Sequence, residues 1–113
     1  QVPGGAAAVF DDEHVNKPVE TIVKMRAYLT EKLAGFNRFR MVPGSRSNFF
    51  LLEITDPQMD STKLFNELLK RGIIAKDGRD IMNGGERYMR IDFNLQKYMD
   101  RLVWALSDIE ASV

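Results

Sequence analysis

The sequence predicts an α+β fold: a two-layer sandwich in which a small, four-stranded, largely antiparallel sheet is covered by about three helices. Three observations carry that expectation. Apolar residues fall at helical spacing in three stretches, with shorter strand-like runs between them, in the order helix, strand, strand, helix, strand, strand, helix. Chain breakers stand at the junctions: Gly35, Pro43-Gly44, Asp56-Pro57, Gly72 and Asn83-Gly84-Gly85. The 113 residues suffice for one hydrophobic core without disulfides. Three apolar stripes facing one sheet leave little room for an internal ligand cavity, so any chemistry belongs at an edge.

Residues 1–10 are Gly/Ala-rich without periodicity and read as a flexible lead-in, with residues 11–113 forming a single α+β domain. Asp11, Asp12 and Glu13 suit a helix N-terminus, where the macrodipole favours negative charge. An interior Pro18 would remove a hydrogen bond and clash with the preceding turn. Two starts survive: a kinked helix from about Asp12, or Asn16 as cap with Pro18 in the first turn. The second is preferred for the body, residues 17–34, whose stripe is Val19, Ile22, Val23, Leu29 and Leu33. Phe36 to Val42 alternates loosely, as a short edge strand does. Asn48 to Ile54 is so apolar that it reads as an inner strand covered on both faces. Asp60 or Ser61 can cap a second helix with the stripe Leu64, Phe65, Leu68 and Leu69, ended by Arg71-Gly72. Ile73 to Lys76 reads as a short strand, Asp77 to Glu86 as a loop, and Arg87 to Phe93 as the last strand. Asn94 then caps a third helix, with apolar positions Leu95, Met99, Leu102, Val103, Leu106 and Ile109.

Composition excludes several function classes. Sixteen basic residues balance sixteen acidic ones, so no bulk field demands nucleic acid or an anionic membrane. Zero cysteines rule out thiolate metal sites and fit a reducing compartment. No apolar run approaches the roughly 20 residues of a bilayer span. The start has no charged n-region and no initiator Met, which suits a processed chain or a piece of a longer one. Lys32, Arg38, Arg40 and Arg46 form a basic stretch without acids, read as a solvated edge. His14 stands alone, without a Cys/His/Asp cluster, so no metal site is expected. The acids Asp11 to Glu13 lack the spaced loop of a cation site. Asn83-Gly84-Gly85 is too short for a phosphate cradle and suits the loop joining the last two strands. Arg90 remains, a cation inside the strand-like run Tyr88-Met89-Arg90-Ile91-Asp92-Phe93. Its bland role is to pair with Asp92 or Glu86; its sharper role is to hold an anion with two parallel hydrogen bonds.

Four segments in order carry a family resemblance. Asp12-Glu13-His14-Val15 leads into a charged helix, and Ser45-Arg46-Ser47-Asn48-Phe49-Phe50-Leu51-Leu52 resembles an S-x-x-N-F strand. Leu64-Phe65 through Leu68-Leu69-Lys70-Arg71-Gly72-Ile73-Ile74 is a helix-to-strand unit, and Tyr88-Met89-Arg90-Ile91 resembles an L-R-I strand. From about Asp11 onward the chain resembles the C-terminal small domain of class I/II (fold-type I) pyridoxal-phosphate-dependent aminotransferases, closest to the histidinol-phosphate aminotransferase branch. The resemblance implies an enzyme moving an amino group between amino and keto acids. Its pyridoxal 5'-phosphate would be held mainly by a large domain of the same polypeptide, absent from this stretch together with its Schiff-base lysine. It implies no catalytic residue here, but substrate-binding positions at Arg90, Asn48 and Lys76, no metal, a cytoplasmic setting and a homodimeric parent. Lys76 stands where the histidinol-phosphate branch usually has a second arginine, and Asp92-Phe93-Asn94 replaces the usual Gly-Thr after the arginine strand. A related decarboxylase of a phosphorylated amino acid fits about as well. The alternative is a stand-alone α+β regulatory or interaction domain that binds a small molecule or a second copy through its free sheet edge.

Overall fold

Alternation along two central strands organises the structure, a computed structural model describing residues 8–9, 18–43 and 48–112. The elements are β1 (Ala8–Val9), α1 (Val19–Leu33), β2 (Phe39–Met41), β3 (Phe49–Ile54), α2 (Ser61–Lys70), β4 (Ile73–Ile74), β5 (Lys76–Asp77), β6 (Tyr88–Asp92) and α3 (Gln96–Ser112). Four strands form an antiparallel sheet in the order β2-β3-β6-β5. Phe50, Leu52 and Ile54 of β3, with Met89 and Ile91 of β6, are buried in one core with Met25, Leu29 and Leu33 of α1, Leu64 and Leu68 of α2, and Met99, Leu102, Leu106 and Ile109 of α3. The predicted α+β sandwich with three helices is what forms.

Differences lie in the details. The strand expected over 48–54 is covered on one face only, for Phe49, Leu51 and Glu53 alternate with the buried residues and stay half-exposed. All three helices pack on the other side, so an apolar composition did not mean two covers. Pro18 precedes α1 instead of lying in its first turn; its carbonyl accepts from Thr21 N and Ile22 N at 3.0 and 3.2 Å. Burial begins at Met25, leaving Val19 and Val23 exposed at 75% and 56%, because the first turns of α1 lack a core beneath them. The strand expected over 73–76 is two: Ile73–Ile74 lies parallel to β1, and after Ala75 the chain joins β6 through Lys76–Asp77. Thus part of the expected lead-in is a strand, while residues 1–7 and the proposed cap Asn16 lie outside the described residues. Leu95 occupies the position before α3, its carbonyl accepting from Met99 N, and it is exposed. Asn94 sits one residue earlier, with its Oδ1 accepting from Leu95 N at 2.8 Å.

Local bonds hold the sheet's ends. Glu110 of α3 accepts from the backbone N–H groups of Asn37 and Arg38 at 3.0 and 3.1 Å, and Arg38 Nε donates to the Glu110 carbonyl at 3.2 Å. This ties the last turn of α3 to the start of edge strand β2. Between β5 and β6, two 3₁₀ turns, Gly78–Asp80 and Gly85–Arg87, close a loop on itself. Gly78 and Gly85 approach so closely that a Cβ on either would enter the other's backbone. Gly85→Ala should therefore cost about 1–3 kcal/mol, the usual penalty of overpacking; an unchanged urea midpoint would show that the loop yields.

Asp60 is the N-cap of α2, accepting from Lys63 N at 2.9 Å. That backbone bond, helped by the Arg79 charge and opposed by burial, holds its carboxyl below the ordinary value near 3.8. A depressed folded pKa stabilises the protein above the unfolded value and loses that contribution as pH falls through the folded one. Asp60→Ala should cost about 1 kcal/mol at pH 7. The gap from wild type should narrow below the ordinary carboxylate range, as urea titrations at pH 7 and in acid would read.

Candidate functional site

The side of the sheet away from the helices carries the functional candidates, because strand parity puts every second residue there. Cross-strand register sorts them into rows. Lys76 of β5, Arg90 of β6 and Leu51 of β3 are successive Cα partners on one row. Phe49 faces Asp92 on the next row, and Arg40, Glu53 and Tyr88 form a row on the other side. Two predicted substrate-binding residues, Arg90 and Lys76, are thus brought side by side from positions 14 apart in sequence (90 less 76). Lys76 is exposed. Asn48, the third, lies one step before β3; its carbonyl accepts from Phe93 N at 3.0 Å. It therefore stands three residues beyond Arg90 along the neighbouring strand and is not on the Arg90–Lys76 row.

Arg90 is the centre of this face. Its Nε lies 3.3 Å from Asp92 Oδ1, with side-chain exposures of 36% and 32%. Its guanidinium carbon is 4.1 Å from the centroid of the Phe49 ring. The Asp92 pairing is the bland contact the sequence allowed, yet it uses only Nε. Both terminal nitrogens of Arg90 carry no hydrogen bond among the described residues. A guanidinium held at Nε and stacked on a ring keeps its two-pronged edge available, the arrangement suited to a carboxylate or phosphate.

The other cations nearby are engaged. Arg40 pairs with Glu53 at 2.5 Å, and Arg38 pairs with Asp56 at the same distance. Lys32 lies 5.7 Å from the Tyr28 ring centroid. Arg46, like Ser45 and Ser47, lies outside the described residues, as do His14 and the acids Asp11 to Glu13. Of that basic stretch, the described Arg38 and Arg40 are each paired with a separate acid. Among the described residues no group of His, Cys, Asp and Glu could hold a metal ion, and no helix is long and apolar enough to cross a membrane.

Two clefts lie at the margins of the sheet, apart from the Arg90 row. One open cleft of about 350 Å³ runs beside β2, lined by Leu33, Phe36, Phe39 and Met41. Another of about 440 Å³ lies at the start of α2 between Met59, Lys63, Arg79 and Arg87. Neither includes Arg90 or Lys76. Sequence reasoning missed Phe49 as a partner of Arg90 and missed the shared row with Lys76. Parity at positions 49, 51 and 53 against 88, 90 and 92 was the available signal; register was not.

Among the described residues, the antiparallel sheet packs its helices on one face and carries Lys76 and Arg90 side by side on the other. Over residues 1–106 the chain matches the family described as aminotransferase class I and II, and it belongs to that family. It is 34% identical over 111 residues to the histidinol-phosphate aminotransferase of Methanocella arvoryzae, covering 98% of this chain and 29% of that protein. The crystal structure of the histidinol-phosphate aminotransferase from Clostridium acetobutylicum superposes with a TM-score of 0.72 at 22% identity, over 81% of this chain and 27% of that one. The L-threonine-O-3-phosphate decarboxylase from Porphyromonas gingivalis gives 0.71 at 18% identity, over 82% and 28%. These two show a shared fold. The chain spans less than a third of the length of the relatives it matches.

Because Arg40 and Glu53 already satisfy each other on a half-open face, their pairing should contribute less than about 1 kcal/mol. A double-mutant cycle with Arg40→Ala and Glu53→Ala checks this by urea unfolding. A coupling well above that limit would mean the face is drier than its exposure indicates.

Proposed function

We propose that the chain is the C-terminal, substrate-closing small domain of a pyridoxal-phosphate-dependent aminotransferase, and that it supplies Arg90 to the substrate's carboxylate or phosphate. The observation carrying this is that, among the described residues, the terminal nitrogens of Arg90 make no hydrogen bond on the sheet face opposite the helices, with Lys76 beside it as a second, point-like cation. Family membership across nearly the whole chain supports it over a stand-alone interaction domain. So does the name of the archaeal relative, which acts on a phosphorylated amino compound.

The cofactor does not fit the described residues. A Schiff-base lysine needs shelter, whereas Lys24, Lys32, Lys63, Lys70, Lys76 and Lys97 are all exposed and the clefts are open. A large domain of the same polypeptide would hold the pyridoxal phosphate, which acts as an electron sink when bound. This chain's residues bind and orient. Arg90 fixes the anionic end of an amino or keto acid by paired hydrogen bonds, and Lys76 adds charge without direction. Phe49, Leu51 and Tyr88, half-buried on the same face, exclude water once the face is covered. Asn48 would contribute at the strand's start. The parent would be a cytoplasmic homodimer, without nucleic-acid or membrane partners.

The test uses the full-length protein encoded with its upstream residues. Arg90→Lys should raise KM and lower kcat together, reducing kcat/KM by about 10- to 100-fold, as expected from losing one charged hydrogen bond of roughly 1.5–3 kcal/mol. Unchanged steady-state kinetics with the physiological substrate would remove Arg90 from the site.

A further inference from the structure

Resting on the reading of Arg90 as the anion grip, we infer that Phe49 is the positioning residue that sets the plane of its guanidinium. One anion held by two hydrogen bonds on one fork demands a fixed plane and a fixed edge, and a flexible arginine stem supplies neither. Asp92 holds a single atom, Nε, at 3.3 Å, and the head remains able to swing about that contact. The Phe49 ring, 4.1 Å from the guanidinium carbon, removes the swing by lying against the flat face. Its quadrupole attracts the cation and, unlike a carboxylate, adds no negative charge to compete with the incoming anion. The ring also shields one side of the cation from water, which strengthens the pairing made at the edge.

The register explains why this residue can act so. Phe49 is the Cα partner of Asp92, so it stands diagonally to Arg90, within the reach of an aromatic side chain across two antiparallel strands. Asp92 and Phe49 therefore approach Arg90 from one row, drawing its head toward the start of β3, where Asn48 lies. The terminal nitrogens make no hydrogen bond to either among the described residues. Phe50, the next residue, points into the helix-covered core and is fully buried, so the two phenylalanines divide into a core role and a site role. Leu51, opposite Arg90 itself, offers bulk on the same face without a π-system.

The experiment uses the full-length holoenzyme with inorganic phosphate and succinate as competing anions. Phe49→Leu and Phe49→Met should weaken inhibition by the anion the enzyme recognises by about 3- to 10-fold, while Phe49→Tyr keeps the wild-type value. KM for the anionic substrate should rise with it, and binding of the neutral amide analogue should not change, which separates positioning from general loss of structure. Arg90→Ala serves as the reference. Should Arg90→Ala weaken anion binding while Phe49→Leu and Phe49→Met do not, the positioning role is wrong and the anion grip stands. Equal loss in Phe49→Tyr and Phe49→Leu likewise overturns it, since the ring face is preserved in the first. Anion binding untouched by Arg90→Ala overturns both.

Discussion

The pairing of β3 with β6 is the constraint on which the rest depends. Five consecutive rungs, from Phe49–Asp92 to Glu53–Tyr88, lock two alternating sequences in phase. Phe50, Leu52, Met89 and Ile91 then fall on one side, where the helices bury them. Phe49, Leu51, Arg90 and Asp92 fall on the other. A slip of one residue would drive Arg90 into the core and lift Met89 into water, which no helix packing would repay. The register that makes the core also sets Arg90 beside Lys76 on the opposite face.

The two faces obey different physics. On the helix side, stability comes from removing apolar area from water, and the set of side chains is tolerant in detail though not in volume. On the side opposite the helices, a few charges are paired at intermediate exposure, where each pair contributes little to folding. Arg40 and Arg38 are neutralised by acids, so they consolidate the sheet edge. Arg90 is neutralised in part, through Nε alone, and so retains capacity for a ligand. That difference in pairing, more than the presence of arginine, sets Arg90 apart from Arg38 and Arg40.

The segment joining β5 to β6 shows how sheet width is limited. Asp77 accepts from Arg79 N at 2.9 Å and from Thr62 at 3.1 Å, ending β5 after two residues and fixing it to α2. The close Gly78–Gly85 contact then lets ten residues, 78 to 87, turn back into β6. Lys76 is consequently on an edge strand just long enough to stand beside Arg90. The short edge also exposes few unpaired backbone groups.

Sequence by itself determined the class of fold, the number and order of the main elements, the cap of α2 to Asp60 or Ser61, the stop at Gly72 and the prominence of Arg90. All of these depend on local chemistry: periodicity, breakers, and a charge in an apolar run. It overestimated the cover on β3, because an apolar half-exposed face and a buried one can have the same composition. It also placed the α1 start, the Asn94 cap and the 73–76 strand only to within a few residues, since ends are set by where packing runs out. Only tertiary structure decided that Lys76 stands beside Arg90 and that Phe49 lies against its guanidinium. Those contacts join residues 14 and 41 positions apart (90 less 76, and 90 less 49) through cross-strand register, a relation that no local signal in the chain encodes.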